Sequence, residues 1–161
     1  MDEIVQRVRE YVIANVQGGE LHGIGHWDRV YANGQKLLTP EVNPLVVGLF
    51  AYLHDCCRSY DGDDPDHGAR VAIFIDTVRN TLLKDVCDDD LVLLKEACRL
   101  HTVAHKTGNP TIDACFDADR LDLGRVGVTP NPDRLATEKG KGMARALNRR
   151  EEPEPMIKWQ G

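Results

Sequence analysis

With 161 residues, 42% of them hydrophobic and 29% charged, the chain has the size and balance of one globular domain able to bury a core. A formal net charge of −6 and a pI near 5.5 weigh against a nucleic-acid surface or an anionic-membrane surface. No apolar run reaches the roughly 18 residues of a membrane span. Five cysteines without CxxC spacing (Cys56, Cys57, Cys87, Cys98, Cys115) suit a reducing, cytoplasmic setting better than a disulfide framework.

Helical periodicity runs through nearly the whole chain, and strand signals are almost absent. The opening "MDEIVQRVRE" is acidic and amphipathic and lacks a basic-then-apolar export signal. Ile4, Val5, Val8, Val12 and Ile13 give a first helix over 2–16 its apolar face, and Gly18-Gly19 closes it. A second helix is expected over 25–38, with Val30, Leu37 and Leu38 facing inward, stopped by Thr39-Pro40. Asn43 before Pro44 is a good start for a third, apolar on nearly every face through Leu45–Leu53, as a helix at the centre of a bundle should be.

"SYDGDDPD" then reads as a loop. Asp66 is expected to cap a fourth helix running to about Leu83, and Asp88 a fifth, whose core face is Leu91, Leu94, Ala97 and Cys98. "HKTGNP" is a turn, and Thr111 to about Leu123 forms a short sixth helix. A loop leads into a last amphipathic segment over 132–147. The expected architecture is a compact all-α bundle of six or seven helices, one domain over 1–148 with a flexible tail over 149–161.

Four of the six histidines fall at or near expected helix ends: His26 opens the second helix, His54-Asp55 closes the third, His67 opens the fourth and His101 closes the fifth. Asp117, Asp119 and Asp122 lie in "CFDADRLD" near the sixth. Helix ends in a bundle can converge on one cavity, where imidazoles and carboxylates form an N/O ligand set for a divalent Mn, Fe, Zn, Ni or Mg ion. Taken singly, each residue has an ordinary alternative, such as a histidine placed against the helix dipole or an aspartate acting as a cap.

"HGIGHWDRVYANGQKL", then "LHD", then "DADRLDLGRVGV" together resemble the HD-domain metal-dependent phosphohydrolase superfamily, whose signature runs His … His-Asp … Asp. The resemblance covers roughly 22–130 and implies an HD-type helical bundle. It implies metal ligands at His26, His54, Asp55 and Asp119, with Asp117 the competing carboxylate of "DAD" and His22 the rival of His26. Branches that hold two ions add histidines between the pair and the last aspartate, and His67 and His101 resemble those additions. "HKTG" resembles an element of the bacterial dinucleotide-polyphosphate hydrolases that would put His105 in place of His101. One departure stands out: some nucleotidase members carry Glu three residues after the HD aspartate, where this chain has Arg58.

The activity so implied is hydrolysis of a phosphoester or phosphoanhydride in a small, nucleotide-like substrate, with one or two divalent ions as cofactor. Asp55 would be ligand and water-orienting group, and Arg58, Arg29 and Lys106 the cations facing the phosphate. Two other readings compete: a non-catalytic nucleotide-binding or regulatory module on the same fold, and a structural zinc domain using Cys98 with His101 or the Cys56-Cys57 pair. The sequence leaves oligomeric state open.

Overall fold

In the computed structural model, which describes residues 1–151, the regular structure is helical throughout, with no strand among the described residues. The α-helices are α1 (Glu3–Asn15), α2 (Ile24–Lys36), α3 (Pro44–Leu53), α4 (His67–Val78), α5 (Asp88–Leu100), α6 (Pro110–Arg120) and α7 (Glu138–Glu151). Two short 3-10 turns, Leu123–Val126 and Pro132–Arg134, lie between α6 and α7. The all-α bundle expected from the periodicity is therefore the fold, with seven α-helices among the described residues.

Local chemistry sets the helix starts. Asn43 accepts hydrogen bonds from the Leu45 and Val46 amides and is followed by Pro44, so α3 begins with its first donors satisfied. Asn109 and Pro110 repeat the device at α6, with the Thr111 and Ile112 amides as donors. Asp66 and Asp88 depart from expectation. Asp66 makes no side-chain capping bond, and only its carbonyl accepts from the Arg70 amide. Cys87 occupies the cap position of α5, so Asp88, Asp89 and Asp90 lie in the first turn, where three carboxylates favour the positive end of the helix dipole. The fourth helix also ends earlier than expected, because the Thr81 and Leu83 amides both return to the Val78 carbonyl and turn Leu83 into the core.

Helix α3 is the axis of the bundle. Val46 through Leu53 are all buried, and the helix packs against α1, α2, α5 and α6. Each large apolar side chain buried here contributes about 1.5–3 kcal/mol relative to exposure. Gly34 lets α2 lie close on α3, since a Cβ there would come within 2.6 Å of Val47 Cγ1. Helix α4 lies on α5 at Gly68, whose missing Cβ would collide with the Cys98 carbonyl oxygen. The approach at Gly34 lies near the start of α3, whereas that at Gly68 brings the start of α4 against the end of α5, beside His101.

The last amphipathic segment, 132–147, comprises a 3-10 turn, an extended link at Leu135 and the greater part of α7. The remainder of the expected tail, 152–161, lies outside the described residues. Among the described residues no helix is long and apolar enough to cross a membrane. All five cysteines are free thiols.

Candidate metal centre

The helix ends converge as their polar residues require. His26, in the first turn of α2, His54 at the C-terminal cap of α3, His67 at the start of α4 and His101 at the cap of α5 are all buried around Asp55. Asp119, from the last turn of α6, closes the ring. Phe50, one turn before His54, stacks on its ring (centroids 4.7 Å apart) and meets His101 edge-on, which fixes both imidazoles from beneath.

In each of these four histidines one ring nitrogen is already committed. His26 Nδ1 donates to Asp122 Oδ2 at 2.7 Å, a partner that as a carboxylate can only accept. His54 Nδ1 donates to the carbonyls of Phe50 (3.0 Å) and Ala51 (3.1 Å). His67 Nδ1 donates to the Asp64 carbonyl and His101 Nδ1 to the Cys98 carbonyl, each at 2.6 Å. All four neutral rings therefore turn a bare Nε2 lone pair inward, the arrangement outer partners impose on metal-ligating histidines.

Those lone pairs meet only one another and carboxylates. His26 Nε2 is 3.2 Å from His54 Nε2, 3.3 Å from Asp55 Oδ2 and 3.1 Å from Asp119 Oδ1. His54 Nε2 is 3.2 Å from Asp55 Oδ2. On the other side of the same carboxylate, Asp55 Oδ1 is 3.0 Å from His67 Nε2 and 3.8 Å from His101 Nε2, and these two nitrogens are 2.9 Å apart. Asp119 Oδ1 is buried and has no hydrogen-bond donor. Acceptors packed against acceptors repel unless a positive charge lies between them, and a buried carboxylate with no donor is costly.

Protons or metal ions can supply that charge. Without metal, burial would lower the histidine pKa values, but the carboxylates outweigh it: Asp119, Asp122 and Asp55 lift His26 to about 9, and Asp55 and Asp119 lift His54 to about 10. Reciprocally, burial would raise Asp55 and Asp119, yet the charge of His54 and the neighbouring histidines, once protonated, hold both well below the usual carboxylate range. A site with this demand for cations fits divalent metal. His26, His54 and Asp55 form one group with ligand atoms mutually within 4.8 Å, and Asp55, His67 and His101 form a second. Asp119 Oδ1, unpartnered, lies beside the first group, 3.1 Å from His26 Nε2 and 3.5 Å from His54 Nε2, and Asp55 belongs to both groups.

Several residues that the sequence offered as alternatives lie apart from the cluster. Asp117 is fully buried on a different side of α6 and accepts from the Ala136 and Thr137 amides and the Thr137 hydroxyl, pinning the entry to α7. His105 is exposed in the turn after α5, where its carbonyl is held by Arg120. Cys98 contributes its carbonyl to His101, and its buried thiol belongs to neither of the two His/Asp groups.

The three expected cations have different surroundings. Arg58 Nε donates to Asp55 Oδ1 (3.2 Å) and Nη1 to the Gly62 carbonyl (2.9 Å), and with Asp55 it lines a cavity of about 280 Å³. Arg29 Nε donates to Asp122 Oδ1 at 2.7 Å, so it steadies the partner of His26. It does not pair with Asp28, which is taken by Arg9 and Tyr52. Lys106 is exposed in the turn after α5 and is not among the residues lining the cavity at Asp55. Asp122, which the sequence groups with Asp117 and Asp119, and the Asp64 carbonyl act as supporting groups, a role the sequence did not assign to them. The signal for Asp122 was its place three residues after Asp119, beyond the end of α6.

Fold and site together define an all-α bundle with a buried His/Asp cluster that could hold metal ions. No family model, curated protein or solved structure matches the chain.

Proposed function

We propose that this protein is a metal-dependent phosphohydrolase of the HD-domain kind, acting on a phosphoester or phosphoanhydride in a small, nucleotide-like substrate. One observation carries the reading: a single buried carboxylate, Asp55, offers one oxygen to each of two histidine pairs, beside an Arg that faces the same cavity. The order of the residues, His26, His54-Asp55 and Asp119, is that of the superfamily the sequence resembles.

His26, His54, Asp55 and Asp119 would hold one divalent ion, and Asp55, His67 and His101 a second. When bound, such ions supply Lewis acidity toward a phosphoryl oxygen and a lowered pKa for water. The chain's own contribution is orientation. Asp122 and the Phe50, Asp64 and Cys98 carbonyls lock the four imidazoles in the tautomer that presents Nε2. Arg58, partly exposed beside Asp55, is placed to bind the phosphate by charge-assisted hydrogen bonds. The N/O donor set suits Mn, Fe, Zn, Ni or Mg.

Phosphate release from a panel of nucleotides, sugar phosphates and phenyl phosphate tests the proposal, using chelator-stripped protein with each metal restored in turn. The expected result is metal-dependent release that Asp55→Ala abolishes. Turnover that persists in Asp55→Ala would refute the mechanism. Metal binding and nucleotide binding without release from any substrate would favour the regulatory-module reading.

A further inference from the structure

His22 is absorbed by neither metal group, yet it is built into the wall beside them. Its Nδ1 lies 3.0 Å from Asp61 Oδ1, and the other oxygen of Asp61 accepts from the Leu21 amide at 3.2 Å. The Leu21 carbonyl is in turn held by Arg125 Nε at 3.1 Å. Gly19 packs directly on the Asp61 carboxylate, where a Cβ would collide with it. On its other side the His22 ring stands edge-on to His26, centroids 6.1 Å apart at 85°. The imidazole is thus fixed from several directions.

His22 lines the same cavity of about 280 Å³ as Asp55 and Arg58. Because Asp61 can only accept, Nδ1 carries the proton of the neutral ring, and Nε2 is left as a lone-pair acceptor without a protein partner among the described residues. The other charges lining the cavity are Asp55, Asp61 and Arg58, and Arg58 is already shared with Asp55 and the Gly62 carbonyl. Among the described charged side chains lining the cavity, Arg58 is the one cation, beside two carboxylates, so His22 adds a neutral acceptor to a wall otherwise suited to the phosphate and its ions. The volume, about 280 Å³, lies just under the range of typical ligand pockets, about 300–1,000 Å³.

We infer that His22, held by Asp61, is a recognition residue whose Nε2 accepts a hydrogen bond from a hydroxyl on the alcohol portion of the substrate. The substrate class is accordingly the phosphate ester of a polyhydroxylated alcohol, a sugar or nucleoside. This rests on the phosphohydrolase reading above and names the substrate of that same site.

The test compares wild type, His22→Phe and His22→Gln, as full-length manganese-loaded protein, on ribose 5-phosphate, phenyl phosphate and inorganic triphosphate. Loss of one neutral hydrogen bond should shift the preference for ribose 5-phosphate over phenyl phosphate about threefold to tenfold in His22→Phe. The shift should appear in KM more than in kcat, and Gln, which retains an acceptor, should restore part of it. Triphosphate should be the poorest substrate. An equal loss on both esters, or triphosphate turned over as well as ribose 5-phosphate, overturns the inference. If wild type releases phosphate from none of the three, nor from the wider nucleotide and sugar-phosphate panel with any of the metals, the hydrolase reading fails. Equilibrium binding of ribose 5-phosphate and phenyl phosphate then reads His22 directly: a selectivity lost in His22→Phe upholds its role, and an unchanged ratio refutes it.

Discussion

Asp122→Asn is the sharpest perturbation of the site, because it leaves every proposed ligand in place. The Asp122 carboxylate accepts from His26 Nδ1 with one oxygen and from Arg29 Nε with the other, each at 2.7 Å. Asparagine has nearly the same shape but only one acceptor, so its NH2 must face one of two donors. Either His26 loses the partner that fixes its tautomer, or Arg29 is released and the remaining bond is no longer to an anion. A hydrogen bond to a charged group contributes about 1.5–3 kcal/mol, which corresponds to roughly 10–100-fold in an equilibrium constant. Loss of an outer-sphere partner costs metal affinity on the same scale, about 10–100-fold. Competition against a chelating dye, with manganese or zinc at fixed near-neutral pH, measures that change. Asp117→Asn is the control: Asp117 is equally buried but caps the entry to α7, so it should lower the melting temperature and leave metal affinity near that of wild type. Unchanged affinity in Asp122→Asn, or an equal loss in Asp117→Asn, would refute the assignment of Asp122 as the group that orients His26.

Three further outcomes are expected. His101→Ala should reduce the metal content at saturation from two ions per chain to one, since His26, His54, Asp55 and Asp119 remain intact; elemental analysis giving no change would dismiss the second site. Gly68→Ala should destabilise the fold by about 1–3 kcal/mol through overpacking, because the new Cβ meets the Cys98 carbonyl and lies 3.3 Å from His101 Nδ1; an unshifted denaturation midpoint would show that α4 and α5 are not in tight contact there. In metal-free protein, His26 and His54 titrate at about 9 and about 10, raised from the ordinary histidine value. Their stabilising contribution is complete below about pH 6.5 and lost as pH rises through the folded values. Asp55 and Asp119, held low, contribute above about pH 3.9 and lose that contribution as pH falls through their depressed values. The melting temperature of chelated protein should therefore fall between neutral and alkaline pH, and metal should abolish that fall by standing where the protons stood; a flat alkaline limb in the chelated protein would contradict this.

Particular residues show how far the sequence could be read. The nearly all-round apolarity of 45–53 placed α3 at the centre, and Asn43-Pro44 marked its start, because both signals are local. Asp66 and Asp88 looked equally good as caps, but an aspartate before an apolar run reads the same whether its side chain caps the helix or only its position borders it. The placement of histidines at helix ends was visible, whereas their meeting around Asp55 depends on pairs far apart in the chain, such as His26 and Asp122, 96 residues apart. "DAD" offered two carboxylates of identical chemistry. Two residues along a helix turn a side chain by roughly 200°, so only the packing of α6 could send Asp119 to the histidines and Asp117 to the α7 entry. Arg29 was legible as a cation near the first motif, but its partner, Asp122, was not. His105 and His101, four residues apart, separated only because α5 stops at Leu100.

The most direct test of the account is anomalous diffraction from crystals of the manganese-loaded protein, with data collected above and below the metal absorption edge. The account predicts one ion among His26, His54, Asp55 and Asp119 and a second among Asp55, His67 and His101, joined by the Asp55 carboxylate. Anomalous density at neither position, with the four imidazoles instead hydrogen-bonded to one another and to the carboxylates as protonated pairs, would contradict it.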